Sequence, residues 1–155
     1  MPDAGLFERH SRATVRLLGR VGRGAAGVRA APLLLQSAPA GFPSPAEASV
    51  DKAIDLGERL VERPESTFLM RVRGDSMSGA GIMDGSVLVV DRAEEPRPGR
   101  IVIAVLDGEL TVKRLQRRAG RLVLMAEHPD YADIEIDPDR DFEVWGVVRS
   151  VVSEV

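Results

Sequence analysis

From about residue 65 onward, apolar positions come in short runs separated by glycine, proline and acidic residues. Thr67-Phe68-Leu69-Met70-Arg71-Val72 is one such run. Val87-Leu88-Val89-Val90, entered through Asp84-Gly85, is another. Runs of this length, rich in β-branched and aromatic side chains and bounded by turn residues, predict strands. Residues 101–115 read as a hairpin about Asp107-Gly108, a pair that suits a two-residue turn. Such a turn sets the register. Leu106 faces Glu109, Val105 faces Leu110, Ala104 faces Thr111, Ile103 faces Val112 and Val102 faces Lys113. Leu122-Val123-Leu124-Met125, the alternating Ile134-Glu135-Ile136 and a last segment from Phe142 to Val152 around Trp145 and Gly146 complete the pattern. The expectation is a compact, mostly β domain over residues 65–155.

Before residue 65 the pattern changes. Arg9, Arg12, Arg16, Arg20, Arg23 and Arg29 occur with no acid between Glu8 and Glu47. Arg12, Arg16 and Arg20 share one helical face, but Gly19, Gly22, Gly24 and Gly27 weaken any helix there. Residues 1–30 are therefore expected to be a flexible basic extension; contact with DNA, or with a partner on DNA, is a second reading of the same charges. Residues 31–46 carry Pro32, Pro39, Pro43 and Pro45, which forbid a long helix and favour extended chain. Exposed segments of this kind are where peptide bonds are cut. Residues 47–63 contain two short helical patterns. Ser44-Pro45-Ala46-Glu47 has the form of a capping box for the first. Asp55 caps the second, which holds Leu56, Leu60 and Val61 and stops at Pro64. Residues 31–64 thus form an arm and a short helical connection.

The chain has 155 residues, 44% of them apolar, which suits one globular domain. A net charge of -3 supplies no overall attraction to nucleic acid. With no cysteine, thiolate catalysis, disulfides and cysteine-based zinc sites are excluded. The two histidines, His10 and His128, are far apart in the chain and show no metal-ligand spacing, so neither a metal nor another cofactor is expected. No run approaches the ~20 apolar residues of a membrane span, and acids at Asp3 and Glu8 suit a signal peptide poorly. The protein is expected in the cytoplasm.

The candidate chemistry is a serine without a nearby histidine. Ser76 sits in the turn Gly74-Asp75-Ser76-Met77. A serine hydroxyl needs a base to become a nucleophile, and a neutral lysine serves where burial disfavours its charged form. Lys52 lies among Asp51 and Asp55, a setting for a solvated ion pair. Lys113 lies in Leu-Thr-Val-Lys-Arg-Leu and, by the hairpin register, shares a face with Val102, Ala104 and Thr111. Strand 101–106 is apolar on both faces, so a lysine there loses much of its water. The bland alternatives are a strand lysine that extends its ammonium to solvent and a Gly-Asp-Ser stretch that is only a turn. Met77 and Met83 read as core or cleft lining, and Trp145 as core.

These residues resemble those of the LexA/UmuD self-cleaving family of Ser/Lys peptidases, of the S24 type, and its UmuD-like branch in particular. Gly74-Asp75-Ser76-Met77 is similar to the nucleophile turn, and Ile82-Met83-Asp84-Gly85 through Val89-Val90-Asp91 to the strand after it. Gly99-Arg100-Ile101-Val102-Ile103-Ala104, Asp107-Gly108-Glu109 and Thr111-Val112-Lys113-Arg114-Leu115 are similar to the strand pair that carries the base. The 37-residue separation of Ser76 and Lys113 is typical of UmuD-like members. Gly41-Phe42-Pro43-Ser44-Pro45-Ala46 is similar to the segment just after the cleaved bond, and the likeness covers about residues 32–152.

The resemblance implies a LexA-like peptidase β-fold behind a flexible N-terminal arm. It implies cleavage at Ala40-Gly41, Ser76 as nucleophile, Lys113 as general base, and backbone N–H groups of Asp75 and Ser76 as the oxyanion hole. It further implies stimulation by a RecA–single-stranded DNA filament, a homodimer, and a processed form that serves an error-prone polymerase catalytic subunit as accessory subunit in the DNA-damage (SOS) response. Three features depart from the pattern: Pro39 before the scissile bond, the long basic extension, and Ala40 itself, which follows the repressor branch. A signal peptidase uses a similar serine and lysine but needs a membrane anchor. A LexA-like repressor needs a DNA-binding domain that the glycine-rich start does not suggest. The remaining alternative is a non-catalytic β interaction module of the same fold.

Overall fold

The computed structural model describes residues 14–20, 31–34 and 50–155, with side chains described for 14–20 and 55–155. The chain divides into two units, residues 23–62 and residues 1–22 with 63–155.

In the larger unit the strands are β1 (Thr14–Arg20), β4 (Thr67–Arg73), β5 (Val87–Asp91), β6 (Ile101–Leu106), β7 (Glu109–Arg118), β8 (Arg121–Met125), β9 (Ile134–Glu135) and β10 (Phe142–Val152). They form one sheet in the order β1-β4-β5-β10-β6-β7-β8-β9. A further pairing of Thr14 with Thr111 joins β1 to β7, so six strands close into a barrel and β8 and β9 extend from it. Closure removes sheet edges that would otherwise stay unpaired. The fold is mostly β, as the run pattern predicts.

The β6–β7 hairpin has the predicted register at all five pairs, and Ile101 adds a sixth opposite Arg114. Asp107 and Gly108 have φ of 51° and 84°, the left-handed values a two-residue turn of this kind requires. Because side chains alternate, each strand of this hairpin feeds two cores. Ile103 and Val112 join Val15, Met70, Val72, Met77, Ile82, Leu88, Val90 and Val148 in one cluster. Val102 and Ala104 join Leu115, Leu124, Ile134 and Val147 in the other. A fully buried side chain of this size contributes about 1.5–3 kcal/mol by leaving water.

Two bends adapt β10 to both of its neighbours. Its register shifts between Val144 and Gly146 against β6, and between Val148 and Ser150 against β5. At Gly146 a Cβ atom would stand 2.7 Å from Val90 Cγ1, so a larger residue would have to push the buried Val90 side chain aside. Trp145 is half-buried against the first core, edge-on to Phe68 at 5.2 Å and under the Arg92 guanidinium at 4.5 Å. At the end of β5, buried Asp91 receives hydrogen bonds from Arg63 Nε, Ser66 Oγ and the Ala93 N–H, each at 2.8 Å. Burial raises its carboxyl pKa, but the bonds from Ser66 and Ala93 and the Arg63 charge outweigh that and lower it overall.

Two local expectations need correction. Thr14–Arg20, expected within a flexible basic extension over residues 1–30, is instead a strand in antiparallel register with β4, with Val15 buried in the core. A lone helix interrupted by Gly19 gains only its own weak hydrogen bonds, whereas the β4 edge offers a ladder and an apolar seat. Arg9, Arg12, Arg23 and Arg29 lie outside the described residues. In the smaller unit, β2 (Ala31–Leu34) pairs antiparallel with β3 (Val50–Ile54), so the first helical pattern gives way to a strand at 50–54. Val50 and Ile54 are β-branched and suit a strand. The second pattern holds. Helix α1 (Leu56–Leu60) begins at Asp55, whose carboxylate accepts the Glu58 N–H at 3.1 Å. Among the described residues, no helix is long and apolar enough to cross a membrane.

Candidate functional site

Strand β7 points Lys113 to the same side as Thr111 and Leu115, opposite Val102 of β6. Each of these four side chains is buried, and Lys113 is fully so. The sequence dictates this: a period of two places lysine on a face whose other members are apolar or small. Desolvation by burial lowers the Lys113 pKa from 10.5 to about 8.

The turn after β4 supplies the partner. Gly74, with φ of 95°, turns the chain away from the strand, and its N–H is held by the Asp84 carboxylate at 2.8 Å. Ser76 follows, fully buried, and a single-turn 3₁₀ segment, Ser78–Ala80, closes the loop. Two backbone bonds clamp this loop to the segment after β8. The Glu127 N–H donates to the Ser76 carbonyl at 2.8 Å, and the Gly79 N–H donates to the Glu127 carbonyl at 2.7 Å. Gly79 has no room for a side chain, since a Cβ there would lie 2.5 Å from the Glu127 oxygen. Met77 anchors the loop in the first core.

The result is that Lys113 Nζ stands 2.5 Å from Ser76 Oγ. A neutral amine at this distance accepts the serine proton, and an ammonium would donate to the same oxygen. With a lysine pKa near 8, the accepting form is accessible at mildly alkaline pH.

Beside this pair lie side chains that the sequence does not tie to it. Tyr131 presents its ring to Lys113 Nζ at 6.0 Å from the centroid, and its hydroxyl donates to Asp75 Oδ1. His128 packs edge-on against Tyr131 at 5.2 Å and brings Nε2 to 3.9 Å from Asp75 Oδ2. Arg114, next to Lys113 on β7 but pointing the other way, is paired with Glu127. The segment Ala126-Glu127-His128-Pro129-Asp130-Tyr131 carries polar and aromatic residues in a short loop, but nothing local ties it to Asp75, 56 residues away.

Ser76, Lys113 and Asp75 are thus together. Ala40 and Gly41, with Pro39, lie outside the described residues. Met83 is not core; it is 52% exposed and borders a shallow cavity of about 230 Å³ with Arg71, Asp84 and Val152. Among the described residues, no group of three or more histidine, aspartate or glutamate side chains is placed to hold a metal ion.

Comparison with known proteins follows the same residues. The sequence pattern of the Peptidase S24-like family matches residues 32–149. Protein SamA of Salmonella typhimurium is 42% identical over 122 residues, covering 79% of this chain and 84% of that protein. Protein MucA of Escherichia coli is 44% identical over 132 residues, covering 84% and 90%. The LexA repressor of Cupriavidus taiwanensis is 42% identical over 114 residues, 73% of this chain but only 52% of the repressor.

Proposed function

The chain belongs to the Peptidase S24-like family, and from that premise we propose that it is a serine endopeptidase that cuts its own chain, with Ser76 as nucleophile and Lys113 as general base. The observation that carries this reading is a desolvated lysine amine 2.5 Å from a buried serine hydroxyl.

In the proposed reaction Ser76 Oγ attacks the carbonyl carbon of Ala40 as its proton passes to neutral Lys113 Nζ. The backbone N–H groups of Asp75 and Ser76 receive the developing oxyanion. Collapse breaks the Ala40–Gly41 C–N bond, and the Lys113 ammonium returns its proton to the leaving amine of Gly41. Water then attacks the Ser76 ester as Lys113 takes its proton, and when the Oγ–C bond breaks Lys113 returns that proton to Ser76 Oγ, leaving the Ala40 carboxylate and the starting pair. A substrate segment in the same chain has a high effective concentration, so a slow pair of groups suffices. The likeness to UmuD-type proteins extends the reading to the DNA-damage response in the cytoplasm. There a RecA–single-stranded DNA filament favours the docked arm, and the processed homodimer serves an error-prone polymerase catalytic subunit.

The test is intact mass after incubation at alkaline pH, with and without RecA filament, beside the Ser76→Ala variant. A fragment beginning at Gly41, absent from the variant, is the expected result. No fragment under either condition overturns the peptidase reading and favours a non-catalytic interaction module.

A further inference from the structure

The barrel closes through a single strand. Among the described residues β4 and β7 are not paired with each other; β1 lies between them, along β4 from Phe68 to Arg73 and against β7 at Thr111. Those two strands lead to the chemistry. Arg73 is three residues before Ser76, and Thr111 is two before Lys113 on the same face of β7. Because β1 runs antiparallel to β4, the end that meets both strands, Thr14, is the end next to the pair. The other edge of β4 is taken by β5, and β7 meets β8 only from Arg114 onward. The gap that β1 fills is therefore where both strands can receive an added strand beside the site.

A peptide bond is attacked only if its carbonyl carbon reaches Ser76 Oγ, yet Ser76 and Lys113 are fully buried, so a neighbouring element has to move first. Extended peptides dock by adding a strand to a sheet edge, held by main-chain hydrogen bonds, and here that edge is occupied. The occupant is weakly held. Of the seven residues of β1 only Val15 is buried, and Leu17 and Leu18 are each 46% exposed. Arg16 stands opposite Arg71, like charge against like charge, which weakens a strand pair. The register also slips between Leu17 and Gly19.

We propose that the groove between β4 and β7 is the acceptor for the segment to be cut, and that β1 is an internal competitor which has to leave it before Ser76 can reach a peptide bond. This rests on the peptidase reading for its consequence in cleavage, but not for the competition itself. By that reading the segment is 31–46, whose Pro32, Pro39, Pro43 and Pro45 favour an extended chain. Two strands cannot use one edge at once, so the cleavage rate scales with the fraction of chains in which β1 is displaced.

The chain has no cysteine, so Arg16→Cys with Arg71→Cys introduces one disulfide, between opposed residues whose spacing in an antiparallel pair suits it. In the full chain, self-cleavage should be at least about tenfold slower with this pair oxidised than with it reduced. Val15→Asp, whose carboxylate cannot stay in the apolar seat, should act in the opposite sense and speed cleavage about tenfold. A strand that only braced the site would leave Val15→Asp slower than the wild type. Docking is read separately, with Ser76→Ala added to the cysteine pair. By fluorescence anisotropy, a fluorescein-labelled peptide of residues 31–46 should bind the reduced chain at least about tenfold more tightly than the oxidised one. Equal binding in the two states, or binding in neither, overturns the proposal whether or not the wild-type chain cleaves. In a chain that does cleave, equal rates in the two states or a Val15→Asp rate no faster than the wild type also overturn it. Absence of cleavage in the wild type, with the difference in peptide binding present, overturns the peptidase reading alone.

Discussion

Two turns on either side of one short loop carry the same residue types and opposite prospects. Gly74-Asp75-Ser76 follows β4, and Asp84-Gly85-Ser86 precedes β5; the Asp84 carboxylate of the second accepts the Gly74 N–H of the first at 2.8 Å. Both serines are buried, Ser76 fully and Ser86 at 3% exposure, and both hydroxyls are hydrogen-bonded. Ser86 Oγ accepts the Met83 N–H at 3.0 Å and lies 2.7 Å from Ser153 Oγ. Neither partner can take its proton near neutral pH, so Ser86 is a structural knot between β5 and the end of β10. Ser76 faces an amine whose affinity for protons burial has weakened. Burial and a satisfied hydrogen bond therefore do not distinguish a nucleophile from a turn residue. The acid–base character of the partner does.

The largest effect expected on this contrast is kinetic. Ser76→Ala or Lys113→Ala should slow self-cleavage at least about a thousandfold, because the two groups act as a unit. Ser86→Ala should leave the rate within about twofold, as it neither contacts nor positions the pair. Fragment appearance followed by mass spectrometry separates the two, and a Ser86 variant as slow as the Ser76 variant would erase the distinction.

Next in size is a stability effect. A lysine pKa lowered from 10.5 to about 8 corresponds to a cost on the order of 3 kcal/mol for holding the charged form in the fold. Below about pH 8 folded and unfolded chains both bind the proton and the cost is present in full. Between about 8 and 10.5 only the unfolded chain binds it, so this contribution makes stability rise with pH, until both forms are neutral. Lys113→Met should remove that rise and stabilise the protein near neutral pH by a few kcal/mol. Denaturant titrations of both proteins across this pH range measure it, and parallel pH dependences would show that the amine is not desolvated.

Smaller still is the cost of loosening the nucleophile turn. Gly79→Ala would drive a Cβ into the Glu127 carbonyl oxygen, which is backbone and cannot swing away. A loss of about 1–3 kcal/mol is expected, together with slower cleavage as Ser76 moves off Lys113. Ser86→Ala marks the lower end, at about 1 kcal/mol for its lost hydrogen bonds. A Gly79 variant as stable and as active as the wild type would show that the Glu127 clamp does not place the serine.

Much of the β domain was legible because its signals are local. Asp107-Gly108 sets a turn, a turn sets a register, and a period of two then names the neighbours of Lys113. The Asp55 cap of α1 is local in the same sense. The misreadings fall where the deciding partner is distant. Thr14–Arg20 carries arginines at helical spacing, and nothing within it announces the β4 edge that makes it a strand. Val50–Ile54 lies in a helical pattern until β2 pairs with it. Tyr131 and His128 carry no local sign of their place beside the serine turn, because it depends on Asp75, which reaches them only after the chain has folded back.

Alternation and turn chemistry thus determined, from the sequence alone, that a lysine stands inside an apolar face and a serine in a glycine-flanked turn. Only the tertiary structure decided that the two meet 2.5 Å apart, that the lysine is fully buried, and that a tyrosine engages the neighbouring carboxylate. The division has one physical cause. Backbone dihedrals and side-chain alternation act over a few residues, whereas desolvation and charge act through space, on whatever groups the finished fold has brought together.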